Sequence, residues 1–484
     1  MQGKKIYEPK MIYSVHLDGL VPKGNFYRRL SQELDMQFLY RETEKYYGME
    51  GQESIDPVVF FKICLVGYLN NINSDRKLIE YCGDSLAVRL FIQYDLDESL
   101  PWHSTISRTR QLYGEEVFLS LFKKVLAMCI RKGMVRGKRQ AIDSAYIKAN
   151  ASVDAMVEKE LLEDAEQYAE ELNQGSEFKI TTRIQYKPTS NQTHYSPADP
   201  DARIATKPGK PSKLYYSGQI AVDDANHVIT GAMADFSDKR DSQSLTPLLT
   251  QTINNMEMEN MQITQIVADT NYSSGESLGY CKENNIDAYI PNVGAYKPTR
   301  EGFIFNEKED RYECQRGNKA FLPLIKVYQR MDHQPMKEYR SSRYACKNCP
   351  LRRECLGEKA KTKLIIHSIH KPLYDNMHEK MQTLYAKHLI RIRSATVEPV
   401  LGTLINFTSM KQVNTIGIKQ ANKHVLMAAL VYNLKKYLRF TTTKANAKAQ
   451  IIKRRIYGEQ EKLKNRLIVM FFEGFPWKSS SINM

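Results

Sequence analysis

Apolar residues recur at helical spacing along the first part of the chain. A continuous apolar face over residues 58–66 follows Asp56-Pro57, a pair that typically starts a helix because proline is tolerated in the first turn. Later helical patterns cover 76–82, 85–92, a segment that begins after 103–105, and the amphipathic stretch 116–132. The pattern predicts a helical domain over residues 1–130.

From about residue 138, short β-branched runs alternate with helical segments. The predicted strands are 138–143, 214–222, 226–234, 263–268 and 286–291, and the predicted helices are 242–256 and 274–283. This order indicates an α/β or α+β domain with a mixed sheet, whose first part spans 131–300. Its polar insert, 172–213, contains five prolines and predicts a mobile or substrate-ordered loop instead of a packed element.

The rest of the chain divides into three regions. Residues 301–375 carry a group of four cysteines, and residues 376–440 return to a helical pattern. The tail, 441–484, is strongly basic: between residues 434 and 466 there are eleven Lys or Arg against two Glu. Such a tail is typical of a segment that contacts phosphates, and a solvated helix face stays open as the alternative.

Composition points to a polyanionic partner. The net charge is +15 with a pI near 9.2, while 42% of residues are hydrophobic, so sizeable cores are expected beside a surface that attracts nucleic acid. A merely basic soluble protein is the alternative. We expect no signal peptide and no membrane span, because the apolar runs are shorter than the roughly 20 residues that a bilayer requires. We therefore expect a cytoplasmic, nucleoid-associated protein, with its cysteines in a reducing environment.

Three carboxylates are the candidate chemistry. Asp143 and Asp269 each follow an apolar run, and Glu398 lies between Thr396, a candidate helix cap, and Pro399. Two strand-end aspartates and a helix-borne glutamate can hold two Mg²⁺ or Mn²⁺ ions, which prefer hard anionic oxygens. Spacing alone does not select this set, because five other aspartates are as acidic. These resemble turn and cap residues: Asp223, Asp224, Asp235, Asp238 and Asp241.

The sequence around the three carboxylates resembles the catalytic motifs of bacterial insertion-sequence transposases of the DDE type. The segments that carry the resemblance are 56–113 with Trp102–Arg108, Asp143–Ser152, Asp199–Arg203, Ala268–Ser274, and Arg393–Gly402 with Gly417, His424 and Asn433–Lys436. They follow one another in order over roughly residues 50–440.

The resemblance implies a ribonuclease-H-like mixed-sheet catalytic core behind a helical N-terminal DNA-binding domain. The core would comprise 131–300 and the helices of 376–440 that carry the glutamate, around a cysteine-rich insertion at 301–375. The sequence departs from the family near Glu398. Many relatives have a tyrosine and an arginine before the glutamate and a lysine seven residues after it, where this chain has Arg391, Ser394 and Ile405.

Positive side chains near these motifs are the predicted DNA contacts. They come from the helix after 103–105, the Asp143 motif, the glutamate region and the tail: Arg108, Arg110, Lys148, Arg391, Arg393, Lys411, Lys453, Arg454 and Arg455.

The four cysteines of the insertion fit a thiolate metal site. Cys346 and Cys349 form a CxxC pair, Cys355 follows, and Cys314 would complete four ligands around a structural Zn²⁺. The wide gap after Cys314 makes four free thiols an equal alternative, and both interpretations stay open.

Together these features predict a DNA transposase. It would bind the terminal inverted repeats of its own element in double-stranded DNA, cut there, and join the ends to target DNA by metal-dependent transesterification. A homodimer is expected because pairing two ends needs two subunits. A ribonuclease-H-like nuclease such as a resolvase, and a DNA-binding protein whose catalytic activity has decayed, stay open as alternatives.

Overall fold

The computed structural model describes residues 16–48, 54–159, 189–206, 211–330 and 334–442. Residues 172–188 of the predicted loop and the tail residues Lys453, Arg454 and Arg455 lie outside the described residues.

Helices fill the N-terminal part of the described chain, as the apolar pattern predicts. They are α1 (Leu17–Leu20), α2 (Phe26–Glu33), α3 (Phe38–Thr43), α4 (Pro57–Leu69), α5 (Asp75–Asp84), α6 (Leu86–Ile92), α7 (His103–Leu112) and α8 (Glu115–Arg131). Asp56 caps α4, since its Oδ1 accepts hydrogen bonds from the amides of Val58 at 2.6 Å and Val59 at 3.0 Å.

A mixed sheet follows. The next strands are β1 (Arg139–Lys148), β2 (Val157–Glu158), β3 (His194–Tyr195), β4 (Arg203–Ala205), β5 (Lys213–Asp223), β6 (Ile229–Phe236), β7 (Gln265–Val267) and β8 (Asp287–Tyr289). Strand β1 lies between antiparallel β5 and parallel β7, with β6 antiparallel beyond β5 and β8 parallel beyond β7. The order β6-β5-β1-β7-β8 is that of a ribonuclease-H-like core, which confirms the predicted fold class.

Strand β1 is longer than its apolar run. The prediction ended it at Asp143, which is wrong: the strand continues to Lys148 by pairing with β5, from Asp143 opposite Ile220 to Lys148 opposite Tyr215. The parallel ladder to β7 stops earlier, at Ala141. The antiparallel partner therefore extends β1 through polar positions, and Asp143 lies just past the end of the parallel ladder.

Helices cover the sheet, and a second, five-stranded sheet interrupts the core. Helices α9 (Asp241–Glu257) and α10 (Gly275–Glu283) follow β6 and β7. The insertion then forms β9 (Phe303–Asn306), β10 (Arg311–Cys314), β11 (Phe321–Gln329), β12 (Pro335–Arg340), α11 (Arg343–Lys347), α12 (Arg352–Leu356) and β13 (Leu364–Ser368). Its small core is built from Tyr312, Leu322, Tyr339 and Ile365. The chain returns to the main core through α13 (Lys371–Met381), α14 (Leu384–Phe407) and α15 (418–442).

Part of the predicted loop 172–213 is packed. Strand β4 pairs with β5, and Asp199 is fully buried, where it accepts hydrogen bonds from the Tyr216 hydroxyl at 2.6 Å and the Gly417 amide at 3.1 Å. Asp201 accepts from the Ile418 amide at 2.9 Å, at the first turn of α15. The prediction of an unpacked loop is therefore wrong for these residues, because their carboxylates satisfy amides that would otherwise lack partners.

Two asparagines of α15 form hydrogen bonds with backbone groups along the outer edge of β6. The Asn433 side chain accepts from the Ile229 amide at 2.9 Å and donates to its carbonyl at 2.7 Å, while Asn422 Oδ1 accepts from the Ala234 amide at 3.0 Å. The helical rise between the asparagines is about 16.5 Å, which matches the roughly 17 Å that the strand needs between Ile229 and Ala234. Helix and strand are therefore in register along this edge.

Helix α15 also joins the N-terminal helices to the sheet. On the helical side, Lys435 Nζ donates to the Leu69 carbonyl at 2.9 Å and the Tyr437 hydroxyl donates to Glu33 at 2.8 Å. Apolar side chains from both parts form one continuous buried cluster. None of the described helices is both long and apolar enough to cross a membrane.

His424 is buried at this junction as a neutral imidazole. Its Nε2 donates to the Ser409 carbonyl at 2.9 Å, so its Nδ1 accepts from the Tyr68 hydroxyl at 2.7 Å. Burial lowers the pKa of His424 to about 4, because the charged form would lose its hydration.

This depressed pKa predicts acid sensitivity. In the unfolded chain the histidine binds a proton near its ordinary pKa of roughly 6.5, so stability present at pH 7 is lost as pH falls toward 4, by up to about 3 kcal/mol. Urea unfolding at pH 7 and pH 5 should show a smaller decline for His424→Gln, which starts less stable, than for the wild type. The exposed His388→Gln should keep the wild-type decline, and an unchanged decline in His424→Gln would contradict the assignment.

Candidate active site

Asp143 and Asp269 line one cavity beside the central strands of the core sheet. Asp143 lies on β1, and Asp269 follows β7 at the second residue after the strand. The cavity has a volume of about 1030 Å³. It lies where the parallel ladder between β1 and β7 ends, which is the usual position of ligands in such sheets.

An ion pair holds Asp143 in place. Arg393 Nη1 on α14 donates to Asp143 Oδ2 at 3.0 Å, and the two side chains are 11% and 18% exposed. Asp143 Oδ1 accepts from the Ser144 amide at 2.9 Å. Burial raises the pKa of Asp143, and the charge of Arg393 partly offsets the rise. The pair ties the last part of the core to its central strand.

Asp269 is held by the turn that follows it. Its Oδ1 accepts from the Asn271 amide at 3.0 Å and caps a short turn, Thr270–Tyr272. Burial raises the pKa of this carboxyl, the charge of Arg393 opposes the rise, and the charge of Asp241 adds to it. Arg393 therefore acts on both aspartates.

Asp241 is a further carboxylate of this cavity, which the sequence analysis grouped with the turn and cap residues. It begins α9 and lines the same cavity, and its Oδ1 accepts from Gln219 Nε2 at 2.8 Å. Gln219 in turn accepts from the Tyr272 hydroxyl, and both of these side chains are fully buried. A chain of hydrogen bonds thus joins α9 to the turn after Asp269. The only sequence signal is an acidic residue at the start of a helix, which caps also produce.

Glu398 lies outside the cavity. The prediction of a helix start at Thr396 is wrong, because α14 begins at Leu384, is capped by Thr383, and runs continuously through Pro399. Glu398 is exposed on this helix and does not line the cavity. Five residues separate it from Arg393, so the two side chains point about 140° apart around the helix. The structure thus brings together two of the three predicted carboxylates.

The predicted DNA contacts divide into exposed and engaged side chains. Arg108, Arg391 and Lys411 are exposed and Lys148 is half-buried, as an external contact requires. The prediction for Arg110 is wrong: its guanidinium forms an ion pair with Asp75 at 2.7 Å, with side chains 12% and 16% exposed. The helix turns this arginine inward, where it links α7 to α5. Arg393 is likewise engaged, by Asp143.

The four cysteines of the insertion converge on one small cavity. Cys314, Cys346, Cys349 and Cys355 all line a space of about 30 Å³. Cys314 Sγ lies 2.7 Å from the Arg316 carbonyl, and Cys346 Sγ lies 3.2 Å from Ser341 Oγ. Chain segments as far apart as β10 and α12 therefore bring their thiols together.

The donor chemistry of the main cavity fits a hard divalent cation. Carboxylate oxygens are what Mg²⁺ and Mn²⁺ prefer, and Asp143 and Asp269 supply them. However, Arg393 engages one Asp143 oxygen. Within the described ranges, no group of three or more His, Cys, Asp or Glu side chains is arranged to hold a metal ion. Asp143 and Asp269 thus offer the oxygen ligands that Mg²⁺ or Mn²⁺ requires, but they do not by themselves form a complete coordination site.

Two stretches of the chain match known domain families. Residues 15–112 match the family described as Transposase domain (DUF772), and residues 313–438 match the family described as Transposase DDE domain. The second match includes Arg393, Glu398 and the four cysteines. Asp143 and Asp269 lie outside both matches, so their assignment depends on the geometry of the cavity.

More distant comparisons add little. No curated protein matches the chain. Among solved structures, the piggyBac transposase in a cryo-EM synaptic complex with hairpin DNA aligns with 86% of this chain and 74% of that chain, at 10% identity and a TM-score of 0.31. A likeness this distant supports no conclusion about the fold or function of this chain. The two domain matches support a transposase of the DDE type.

Proposed function

We propose that this protein is a transposase of the DDE type, which binds the terminal inverted repeats of an insertion sequence, cleaves DNA strands there and joins them to target DNA. The observation that carries the proposal is the cavity lined by Asp143, on β1, and Asp269, just after the neighbouring parallel strand β7. The net charge of +15 supports DNA as the partner. Because two ends must be paired, we propose a homodimer as the working form.

Asp143 and Asp269 would hold Mg²⁺ or Mn²⁺. Such ions, one or two of them, activate an attacking water or 3′-hydroxyl and stabilise the leaving oxygen of a phosphodiester. Arg393 fixes the orientation of Asp143 and supplies positive charge beside both carboxylates. The Asn271 amide fixes Asp269. The chain's own contribution is thus to hold two anionic side chains in one place despite their mutual repulsion.

Neutral replacements of the two aspartates should abolish cleavage. Asp143→Asn and Asp269→Asn keep size and hydrogen bonding but remove a negative oxygen, so we expect strand cleavage to fall by roughly 10³-fold. The measurement uses labelled duplexes that carry the element's ends, with Mg²⁺ for cleavage and Ca²⁺ for binding alone.

Asp238→Asn is the matched control, because Asp238 lines the same cavity on its exposed rim. We expect it to cleave like the wild type, and all three variants to keep end binding. Equal loss in the control would contradict the assignment. Retained end binding with no cleavage by the wild type itself would favour a decayed DNA-binding protein, and cleavage without joining would favour a nuclease.

Comparing Glu398→Gln with Asp241→Asn shows which residue supplies the third carboxylate of the catalytic set. The family resemblance implies Glu398, which would have to move with α14 to reach the cavity. Asp241 lies in the cavity but is already engaged by Gln219. We expect Glu398→Gln to abolish cleavage and Asp241→Asn to keep most of it. The reverse result would show that Asp241 completes the set.

We propose that the four cysteines bind one structural zinc ion. The four thiols line a single small cavity, which supports this over four unrelated thiols, although among the described residues they are not already arranged as a metal site. Protein purified without chelator should contain roughly one zinc ion per chain, and Cys349→Ser should release it and make the insertion sensitive to protease. The buried Cys281→Ser, outside the cluster, should retain the metal. Zinc-free protein with a protease-resistant insertion would favour free thiols.

A further inference from the structure

The cavity that holds the aspartates has two walls from different parts of the chain. One wall is the core, with Asp143, Asp269 and the start of α9. The other is the insertion, which contributes Arg330 and residues 366–368 of β13. Between them runs the connecting segment 292–300 that follows β8. The insertion therefore contributes to the same cavity as the aspartates.

Four cations of this cavity have no acidic partner among the described residues. Arg240, Lys297, Arg300 and Arg330, here named the cleft cations, are exposed. None of them has a side-chain carboxylate within 4 Å in the part of the chain that the structure describes. The other two cations of the lining are engaged: Lys239 by Asp235 at 2.8 Å, and Lys371 by Asp375. Apart from Asp238, which pairs with Arg203 at 3.5 Å, the exposed charges of the lining are positive. This excess of positive charge fits a ligand that carries its own negative charges.

Aromatic rings are interleaved with this charge. Tyr146, Tyr296, Tyr374 and His367 also line the cavity. A basic groove with aromatic side chains is how proteins bind single-stranded nucleic acid, since phosphates meet the cations and bases stack on the rings. A purely anionic ligand would not require the rings.

The size of the cavity favours one strand over two. A volume of about 1030 Å³ is near the upper end of small-molecule sites, so it admits a few nucleotides. A duplex is much larger, since its major groove alone is about 12 Å wide, so a space of this volume holds a short stretch of one strand more readily than a duplex. A DNA end would have to be locally unpaired to reach the aspartates.

We propose that the cleft between the core and the insertion binds a single-stranded DNA segment. Its phosphates lie on the cleft cations and its bases against the aromatic rings. The inference rests on the proposed function and adds that the insertion is part of the substrate site, which selects a strand that has left the duplex. Duplex recognition is then left to other surfaces, such as the N-terminal helices with Arg108.

Binding to single-stranded DNA tests the proposal without any cleavage. The full chain is titrated, in EDTA, into a fluorescein-labelled oligothymidine of roughly 12 nucleotides and into a duplex that carries the element's end. Lys297→Gln with Arg300→Gln removes two exposed cations that make no ion pair in the described ranges, so the fold should be unaffected. We expect several-fold weaker binding to the oligothymidine. The slope of log affinity against log salt should fall by about 1.4 units, because two phosphates would no longer be neutralised.

The matched control is Lys308→Gln with Lys319→Gln. It removes the same charge from exposed positions of the insertion that do not line the cavity. We expect the control to bind like the wild type, and both double variants to keep their affinity for the duplex. Equal affinities of cleft and control variants for the oligothymidine would overturn the proposal.

A second readout uses bromodeoxyuridine in the single strand. Photocrosslinks should map to 292–300 or 366–368 in the wild type, and crosslinks confined to other segments would overturn the proposal. Mg²⁺-dependent cleavage is scored separately on duplex ends. If the wild type cleaves duplex ends but forms no crosslink at the cleft, the single-strand proposal is wrong and the proposed function stands. If crosslinks form at the cleft but no cleavage occurs, the proposed reaction is wrong instead.

Discussion

The site depends on the ion pair between Arg393 and Asp143. Two carboxylates that share a partly buried cavity repel each other and lose hydration, so each is held only if positive charge and hydrogen bonds offset both costs. Arg393 supplies that charge from α14, a helix that follows the insertion in the chain. The same contact therefore closes the core, because it joins the last region of the chain to its central strand. A lysine would not be equivalent, since Arg393 is itself largely enclosed and acts on Asp269 as well.

The pattern of the sequence predicts most of the architecture, and it does so because the signals are local. The helix at Asp56-Pro57 and the strands of the core follow from apolar spacing and turn chemistry, which depend on near neighbours. The ribonuclease-H-like arrangement of those strands is implied by the family resemblance instead. Asp143 and Asp269 can be singled out because both follow apolar runs and resemble family motifs. The choice between these and the other aspartates comes from the resemblance, not from the spacing.

What the sequence does not predict is set by contacts between distant residues. Strand β1 passes Asp143 because β5, about 70 residues later, supplies its partners. The sequence of α7 does not show whether Arg110 lies on its buried or its exposed face. The ion pair with Asp75 on α5 is what holds the Arg110 side chain inward. The local sequence places Glu398 in a first turn, because Thr396 and Pro399 resemble a helix start. The apolar face of α14, with buried Leu389, Val397 and Val400, overrides that local signal.

The amides that line β6 have a consequence for how two copies of this chain can meet. An edge strand normally offers unpaired N–H and C=O groups to a strand from another molecule. Here Asn433 and Asn422 occupy those groups at Ile229 and Ala234. Between them, Gln251 of α9 accepts from the Ala232 amide at 2.9 Å and Asn255 of α9 donates to the Thr230 carbonyl at 2.9 Å. Joining two core sheets into one continuous sheet across β6 is therefore blocked. Any assembly of subunits must use helical faces or the insertion, and the spacing of its two cavities is set by those surfaces instead of by strand pairing.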